Sequence, residues 1–437
     1  MNALPLIQGY RPAAPLLWGG AGALSQGAFL GQAARLARIL PEAGQVLNLC
    51  ESRRGFLLGF AAALLRGQTS LLPPNKAAAT VAGILARYPG SYVLADAAAE
   101  DWPDAAAVPA GLPGEDWNGP VPLIPAELIA ALPFTSGSTG EPLPHAKSWG
   151  GLVSHIGLLS QRLGFAGAHL VGTVPPQHTY GLETTVLAAL AGGAVTHQAR
   201  PFFPQDVRQA LEELPAPRLL ITTPVHLQAL VQARLPLPPL AGIVSATAPL
   251  TVQLAAAAED ALGAPVHEIY GSTESGAAAT RRTCETELWL PLPGVVLEER
   301  DEGAIAAAPH LPAPVRLADL IETQADGRFR LLGRSGDLIK VAGKRMSLAE
   351  LNHRLLAIPG VEDGVVFLPD AAPDSAGVLR PAGLVVAPEL GEQQILDALR
   401  QNVDPAFLPR PLRRVERLPR NEVGKLPRAL LLGLLKA

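Results

Sequence analysis

The sequence predicts an α/β protein, with a large N-terminal α/β domain of parallel sheets and covering helices and a small α+β domain behind it. Three observations predict this architecture. Short apolar runs alternate with helical segments through the first part of the chain, the pattern changes near Gly333, and 48% of the 437 residues are hydrophobic. A chain of this length and apolar content is expected to fold as two or three domains with sizeable cores.

The alternation begins with a strand predicted at Gln45 to Cys50 and a buried helix predicted at Arg54 to Leu65. The apolar run Thr69 to Leu72 predicts the next strand, Ala77 to Arg87 a helix, and Ser91 to Ala95 a third strand. Strands that alternate with helices pair in parallel, because each helix provides the crossover between them. This segment therefore predicts a parallel sheet with covering helices.

Residues 101–125 are rich in proline and glycine and are predicted to form a loop. Beyond this loop the alternation continues. The predicted elements are a helix at Trp149 to Leu163, a strand at Leu219 to Thr222, a helix that ends near Leu235, and strands at Gly242 to Ser245 and Pro265 to Tyr270.

The domain boundary is predicted between residues 333 and 334, so that 1–333 form the large domain and 334–437 the small one. In the small domain, Ser347 and Glu350 have the spacing of a capping box, which predicts a helix that continues to about Ile358. The other elements predicted there are strands at Asp337 to Val341, Gly364 to Leu368, Gly383 to Ala387 and Arg414 to Leu418, and a helix at Gln393 to Arg400.

Composition excludes several classes of function. Charged residues make up 17% of the sequence and the net charge is −4, which argues against nucleic acid as the main partner. Two cysteines, Cys50 and Cys284, are too few for a disulfide framework or a zinc cluster, and we interpret them as buried thiols. The start lacks a signal-peptide pattern, and the longest apolar run, about residues 55–65, is too short to span a membrane. We expect a cytoplasmic protein without a membrane partner.

A hydroxyl- and glycine-rich segment follows an apolar run before residue 135, and it indicates a phosphate-binding loop. Glycines allow backbone N–H groups to converge on an anion, and hydroxyls add further donors. Its residues are Thr135, Ser136, Gly137, Ser138, Thr139 and Gly140. No lysine follows Gly140, so this is not a Walker motif, and the spacing of a nucleophile elbow is absent. A polar surface loop, or an esterase that uses Ser136 or Ser138, are the alternatives.

Three further motifs follow in order. Residues 270–274 read Tyr-Gly-Ser-Thr-Glu after a predicted strand, and a carboxylate such as that of Glu274 suits a hard cation such as Mg²⁺. Residues 333–345 combine glycines, Arg334 and Asp337 with two lysines, and residues 418–428 contain Gly424 and Lys425.

The four motifs, in this order and at these separations, resemble those of the adenylate-forming enzymes, which include acyl- and aryl-CoA synthetases, peptide-synthetase adenylation domains and luciferases. The resemblance extends from about residue 40 to 430. It implies a large N-terminal domain, a small mobile C-terminal domain, and ATP and Mg²⁺ as cofactors. It also implies a two-step reaction, in which a carboxylate attacks the α-phosphate of ATP and a thiol then displaces AMP.

The resemblance also implies roles for individual residues. The segment from Thr135 to Gly140 would bind phosphates, and Lys425 would be the catalytic lysine. The remaining implied nucleotide contacts are Thr247, Ala248 and Pro249 along the adenine, Tyr270, Gly271 and Ser272 over the adenine and phosphates, Thr273 near the α-phosphate, Glu274 on Mg²⁺, and Asp319 and Arg334 on the ribose.

The acid would bind beside His178, which resembles the gating aromatic or histidine of the family. Gly181, Ser245, Ala246 and Gly276 are expected to line the same pocket, and whether His226 faces it is left open. The expected hinge and thiol tunnel comprise Gly336, Asp337, Lys340 and Gly343.

The sequence departs from the family where a lysine usually follows the proline of the phosphate loop. Leu143 stands there, and Lys147 is either its replacement or a surface residue. Gly336 also replaces the first of the two aspartates that usually follow the boundary arginine, here Arg334.

The motif variants are similar to those of small stand-alone ligases of aryl polyene and xanthomonadin pathways. That resemblance implies an aromatic acid such as a hydroxybenzoate, and an acyl carrier protein as acceptor. A basic stretch from Phe407 to Arg428 suits an acidic carrier protein, and equally a solvated face or the phosphates of CoA. The alternatives are a synthetase that uses free CoA and a non-catalytic nucleotide-binding regulatory protein.

Overall fold

The computed structural model describes residues 2–20, 22–97, 102, 104–109, 116–136, 142–334, 338–341, 344–369, 380–420, 424 and 426–436. Its architecture is the predicted α/β fold, built on two mainly parallel sheets. The first sheet has a parallel centre because helices connect its strands. In spatial order its strands are Pro142–Pro144, Ile129–Ser136, Thr69–Leu72, Gln45–Asn48, Tyr92–Ala95 and Ala106–Ala107, and the short strand Lys147–Ser148 also pairs with Ile129–Ser136.

The second sheet has nine strands. Its six central strands are parallel and an antiparallel strand or hairpin lies at each edge. In spatial order the strands are Leu290–Pro291, Gly276–Arg282, Val266–Ser272, Gly242–Ser245, Arg218–Thr222, His169–Gly172, Val195–His197, Pro15–Trp18 and Ala23–Ser25.

Helices cover these sheets and bury their apolar faces against them. Serine or threonine side chains cap several of them, including Ser52, Ser148 and Thr223, each of which accepts a hydrogen bond from a backbone N–H in the first turn. The helices are Gln26–Ile39, Arg53–Leu65, Ala78–Arg87, Trp149–Leu163, Pro204–Glu212, Pro224–Ala233 and Val252–Leu262, and a further helix runs from Thr179 to Leu190 with a π-helical segment at Leu182–Leu187.

Antiparallel strands follow the second sheet. They form a three-stranded sheet of Val296–Arg300, Gly303–Ala307 and Val315–Leu317, and a hairpin of Asp319–Thr323 and Phe329–Arg334. The C-terminal elements have an apolar core of their own that includes Leu351 and Ile395. They are the strand pair Leu338–Val341 and Lys344–Ser347, the helices Leu348–Leu356, Glu392–Arg400 and Arg428–Lys436, the 3₁₀ turn Pro405–Phe407, and a sheet of Asp363–Phe367, Ala382–Val386 and Leu412–Arg414.

The prediction was wrong in several details. The strand predicted at Arg414 to Leu418 lies at Leu412–Arg414, because Leu412 packs into the core and pairs with Gly383. The helices Gln26–Ile39 and Arg428–Lys436 were not predicted, nor were the strands between residues 290 and 334. Cys50 is buried as expected, but Cys284 is only partly buried.

Ser347 caps its helix as the capping-box spacing predicts, since its hydroxyl accepts from the N–H of Glu350 at 3.0 Å. The boundary at 333/334 stays a prediction, because residues 335–337 lie outside the described residues. Among the helices of the described residues, none combines the length and the apolar character that crossing a membrane demands.

Candidate functional site

Several of the predicted site residues lie at the carboxyl ends of strands in the two mainly parallel sheets, where α/β sheets bind ligands. Thr135 and Ser136 end the strand Ile129–Ser136, and Ser272 ends the strand Val266–Ser272. Ser245 ends the neighbouring strand Gly242–Ser245. Of the predicted phosphate loop, Gly137, Ser138, Thr139 and Gly140 lie outside the described residues.

A buried carboxylate, that of Asp319, forms the centre of one part of the site. Tyr270 donates its hydroxyl to Asp319 Oδ2 at 3.0 Å, and Arg334 Nε lies 3.2 Å from Asp319 Oδ1. The pairing of Asp319 with Arg334 in one hairpin explains how residues 15 positions apart meet. Burial and the neighbouring Asp319 carboxylate raise the pKa of Tyr270, so the phenol stays protonated and donates. The cluster presents a fixed carboxylate and an exposed guanidinium.

The ring of Tyr270 is held from behind by aromatic neighbours. Its centroid lies 5.6 Å from that of Trp289 and 5.4 Å from that of Phe329. Such tilted and edge-on pairs restrict the ring to one orientation. The ring of Tyr270 is therefore fixed where its hydroxyl donates to Asp319.

Glu274 lies in a turn directly after the strand Val266–Ser272, and two serine hydroxyls close this turn. Ser272 Oγ accepts from Ser275 N at 3.1 Å, and Ser275 Oγ accepts from Ser272 N at 3.2 Å. Thr273 lies in this turn and is partly buried. These hydrogen bonds hold the main chain on both sides of Glu274.

A histidine that the sequence did not single out bridges this turn and the phosphate-loop strand. His145 Nε2 lies 2.9 Å from Thr135 Oγ1 and 3.5 Å from Glu274 Oε1. Burial, the largest effect, lowers the pKa of His145 although Glu274 opposes it. The Thr135 hydroxyl and the Glu274 carboxylate therefore lie within reach of one ligand.

Lys147 points into the site and is not a surface residue. Its ammonium donates to the backbone carbonyl of Glu274 at 2.7 Å. Burial lowers the pKa of Lys147, while the carboxylates of Glu183 and Glu274 oppose that shift. Leu143, at the position of the family lysine, is 50% exposed in the hairpin strand Pro142–Pro144.

Thr247 has an unusual backbone conformation directly after the strand Gly242–Ser245. Its φ is +80°, which a β-branched residue rarely adopts. Strain of this kind costs about 1–3 kcal/mol and is concentrated at ligand sites. Ala248 is partly buried and Pro249 exposed, so this turn offers main chain and apolar surface to a ligand.

Two of the predicted acid-binding residues, His178 and Gly181, lie at one helix start. His178 precedes the helix that begins at Thr179. Gly181 permits close packing there, because a Cβ would lie 1.9 Å from the Pro175 carbonyl oxygen. Ser245 and Ala246 are buried, and the Ser245 hydroxyl has no partner among the described residues.

The loop that carries His178 is tied to the first sheet by buried groups. Arg53 is fully buried and donates through Nη2 to the Gly172 carbonyl at 2.7 Å, and Gln177 donates to the Cys50 carbonyl. These contacts join the segment before His178 to Cys50 and to the helix Arg53–Leu65, which adjoin the first sheet.

His226 is buried in the first turn of the helix Pro224–Ala233. Its Nδ1 lies 2.9 Å from the Thr173 hydroxyl, and its ring packs edge-on against Phe202 with centroids 5.1 Å apart. This hydrogen bond joins the helix Pro224–Ala233 to the residue after the strand His169–Gly172, and it does not decide whether His226 faces the acid.

Gly276 borders a buried cluster that the sequence did not indicate. His155 Nδ1 lies 3.3 Å from Glu183 Oε1, and the rings of His155 and His310 stack with centroids 4.2 Å apart. His155 comes from the helix Trp149–Leu163 and Glu183 from the π-helical segment, so no local pattern unites them. A π-helical segment often marks a functional site.

The predicted hinge and catalytic lysine cannot be placed. Gly336, Asp337, Gly343 and Lys425 lie outside the described residues, and for Lys340 only the strand Leu338–Val341 is described. Their roles stay predictions.

The donors around Glu274 suit a hard cation that also binds phosphates. Mg²⁺ typically takes one or two carboxylates and substrate phosphates rather than a full protein cage. Among the residues that the structure describes, no three His, Cys, Asp or Glu side chains group as metal ligands. A single carboxylate beside the Thr135 hydroxyl fits Mg²⁺ that arrives with a nucleotide.

We expect His310 to make the fold sensitive to acid. Burial, and next the neighbouring His155, lower the pKa of His310 to about 4, against an unfolded value of 6.5. Below pH 6.5 His310 is therefore protonated in the unfolded chain but stays neutral in the folded protein until the pH nears 4. The free energy of unfolding falls as the pH drops below 6.5, because protonation favours the unfolded state. Between pH 7 and 5 this loss is on the order of 1–2 kcal/mol. Urea titrations of His310→Gln should show a smaller loss over this range than the wild type, and equal losses would contradict the prediction.

Gly276→Ala is expected to destabilise the protein. Gly276 has φ +69°, and a Cβ there would lie 2.6 Å from His155 Cε1 and 2.8 Å from Glu183 Oε1. Strain and overpacking together should cost about 2–4 kcal/mol, measured by urea unfolding. Gly263→Ala is the matched control, because Gly263 has φ +64° with nothing within 4 Å. An equal loss of unfolding free energy in both variants would rule out contact with His155 and Glu183 as the cause of the destabilisation.

Comparison with known proteins gives one family match and several relatives. The family model described as AMP-binding enzyme matches residues 41–302. A 4-coumarate–CoA ligase of Rhodobacter capsulatus is 32% identical over 246 residues, which are 54% of this chain and 60% of the relative. An L-proline–[L-prolyl-carrier protein] ligase of Streptomyces coelicolor is 24% identical over 77% of this chain and 73% of the relative. The chain thus spans about 60% of the length of the first relative.

A solved structure of similar fold is that of o-succinylbenzoate CoA synthetase from Bacillus subtilis, in complex with an acyl-adenylate intermediate. It superimposes with a TM-score of 0.84 at 18% identity and covers 99% of this chain and 98% of that chain. The likeness confirms the predicted α/β fold over nearly the whole chain.

Proposed function

Because the chain belongs to the AMP-binding enzyme family, we propose that it is an ATP-dependent acid–thiol ligase that forms AMP. A carboxylate oxygen attacks the α-phosphorus of ATP, which forms an O–P bond and expels pyrophosphate. A thiol sulfur then attacks the acyl carbon, its proton is lost, and the C–O bond to AMP breaks. The product is a thioester.

The cluster of Asp319, Tyr270 and Arg334 is the observation that carries this proposal. A buried carboxylate that a phenol and a guanidinium hold in place suits the two vicinal hydroxyls of a ribose, which would donate to it. The strained turn at Thr247 would then lie along the adenine, and the Glu274 turn would lie beside the phosphates.

The chain's own residues would prepare the first step as follows. Thr135 and Ser136, with Gly137 to Gly140, donate to phosphate oxygens, and Thr273 contacts the α-phosphate. Glu274 would hold Mg²⁺, which neutralises charge on the phosphates when bound. Lys425 brings an ammonium to the oxygens that gain charge at the α-phosphorus. Gly336 and Asp337 form the hinge that lets residues 334–437 present Lys425, and then Lys340 and Gly343 at the thiol tunnel.

We further propose that the acid is aromatic and of the hydroxybenzoate type. His178, Gly181, Ser245, Ala246 and Gly276 would surround the ring. The buried Ser245 hydroxyl without a partner supports this, because a polar substituent on the acid would satisfy it.

An acyl carrier protein is the acceptor that we favour. Arg410, Arg414 and Arg417 are exposed, and this basic surface suits an acidic protein. Arg420 does not belong to that surface, because it forms a two-point ion pair with Asp363 at 2.6 and 2.9 Å. Free CoA is the second candidate, which the likeness to a CoA ligase favours.

The test is pyrophosphate release with ATP, Mg²⁺ and a panel of benzoic, cinnamic and fatty acids. Each active acid is then supplied with CoA or with holo acyl carrier protein, and the thioester is measured. Turnover of a hydroxybenzoate with the carrier alone supports the full proposal, and turnover with CoA supports the second candidate. ATP binding without turnover of any acid would support a regulatory protein instead.

A further inference from the structure

The main chain from Glu274 to Ala277 is fixed by four side chains from different elements. Lys147 donates to the Glu274 carbonyl, and His310 Nε2 lies 2.8 Å from the Ser275 carbonyl oxygen. The Ala277 carbonyl oxygen lies 2.9 Å from His155 Nε2, and its N–H donates to Glu183 Oε2 at 3.3 Å. The carbonyls of Glu274, Ser275 and Ala277 and the amide of Ala277 are therefore contacted by ionisable side chains, in addition to the strand pairing that begins at Gly276.

Two of these groups, His155 and Glu183, are buried and contact each other. His155 and Glu183 are 2% and 3% exposed, and their side chains pair at 3.3 Å. A carbonyl oxygen accepts, so His155 Nε2 must carry a proton, and His155 Nδ1 faces the carboxylate of Glu183. His310 stacks on the same ring. A buried pair of this kind is costly to break, because removal of one partner leaves the other buried without a charged or hydrogen-bonding partner.

We propose that Lys147, backed by the His155–Glu183 pair, is a positioning residue that sets the direction of the Glu274 carboxylate. This inference rests on the proposed function, in which Glu274 holds Mg²⁺ beside the phosphates. Lys147 replaces the lysine that the phosphate loop lacks at Leu143, but acts on the Glu274 main chain and not directly on a phosphate. The carboxylates of Glu183 and Glu274 also attract its ammonium, since both oppose the lowering of the Lys147 pKa by burial.

The alternative is that Lys147 only packs in the core. The geometry argues against it, because a lysine seldom gives up its hydration unless it gains charged or polar partners in return. Here the partner is the carbonyl of the one acidic residue in the turn. A purely structural lysine would affect the melting temperature but would leave the dependence on Mg²⁺ unchanged.

The experiment measures ATP binding by calorimetry over a range of Mg²⁺ concentrations and in EDTA, without acid. Lys147→Met should raise the Mg²⁺ concentration at half-effect about tenfold and leave binding in EDTA unchanged, as expected for loss of one charge-assisted contact. The Mg²⁺ concentration at half-effect for Lys147→Arg should lie between those of the wild type and Lys147→Met. Lys76→Met is the matched control, since Lys76 also donates to a backbone carbonyl, that of Leu49 at 2.9 Å, outside the site.

An unchanged Mg²⁺ midpoint in Lys147→Met would overturn the inference, as would an equal loss of binding with Mg²⁺ and in EDTA. Glu183→Gln provides a second variant if Lys147→Met does not fold, and it should shift the midpoint in the same direction. A wild-type protein that binds no ATP under any condition would instead refute the proposed function and this inference with it. If the wild type binds ATP but the Mg²⁺ midpoint of the variant is unshifted, the inference about Lys147 is refuted and the proposed function is not.

Discussion

Lys425→Ala is expected to lower the rate of acyl-adenylate formation by about 10²–10³-fold, the cost of losing one oxyanion-stabilising donor at a reacting centre. The ammonium of Lys425 would face the oxygens that gain charge while the carboxylate attacks the α-phosphorus. The second step, transfer from preformed acyl-AMP to a thiol, develops no charge at phosphorus in the attack and should fall far less. Single-turnover assays of the two half-reactions measure both losses.

The matched control is Lys436→Ala, which removes a lysine from the end of the final helix, Arg428–Lys436. It should leave both half-reactions at the wild-type rate. Equal losses of both half-reactions in Lys425→Ala would contradict the proposed division of labour and indicate a general role in binding the nucleotide.

Regular periodicity allowed much of the α/β scaffold to be predicted. The strands Thr69–Leu72 and Gly242–Ser245 and the helix Trp149–Leu163 form at their predicted bounds. Each is a continuous apolar run or an amphipathic stretch between clear turn signals. The strand Val296–Arg300 was missed, because its sequence Val-Leu-Glu-Glu-Arg lacks the alternation of a half-buried strand and its exposed side chains carry charge.

The candidate site, like the fold, has a part that the sequence could predict and a part that it could not. Tyr270, Asp319 and Arg334 could be proposed from the order of the motifs, and the structure brings them into hydrogen-bond contact. His155 and His310 could not be found, because their partners lie on other elements and only the packed fold brings them together. Lys147 was ambiguous for the same reason, since its partner lies 127 residues away.

Asp319→Asn is expected to raise the KM for ATP about 10–100-fold, with a smaller change in kcat. The asparagine keeps the size and can still accept from Tyr270, but it loses the charge that would strengthen hydrogen bonds from ribose hydroxyls. A hydrogen bond to a charged group contributes about 1.5–3 kcal/mol, which corresponds to this range. The measurement is pyrophosphate release against ATP concentration at saturating acid.

Deoxy nucleotides make the test specific to the ribose. The wild type should use 2′-deoxy- and 3′-deoxy-ATP much less well than ATP, whereas Asp319→Asn should discriminate little, because the carboxylate that reads the hydroxyls is gone. Glu322→Gln is the matched control, since Glu322 lies on the same strand and pairs with Arg330 at 2.6 Å on the surface. If Asp319→Asn kept the wild-type preference for ATP, Asp319 would instead be a structural partner of Arg334, and the ribose would have to bind elsewhere.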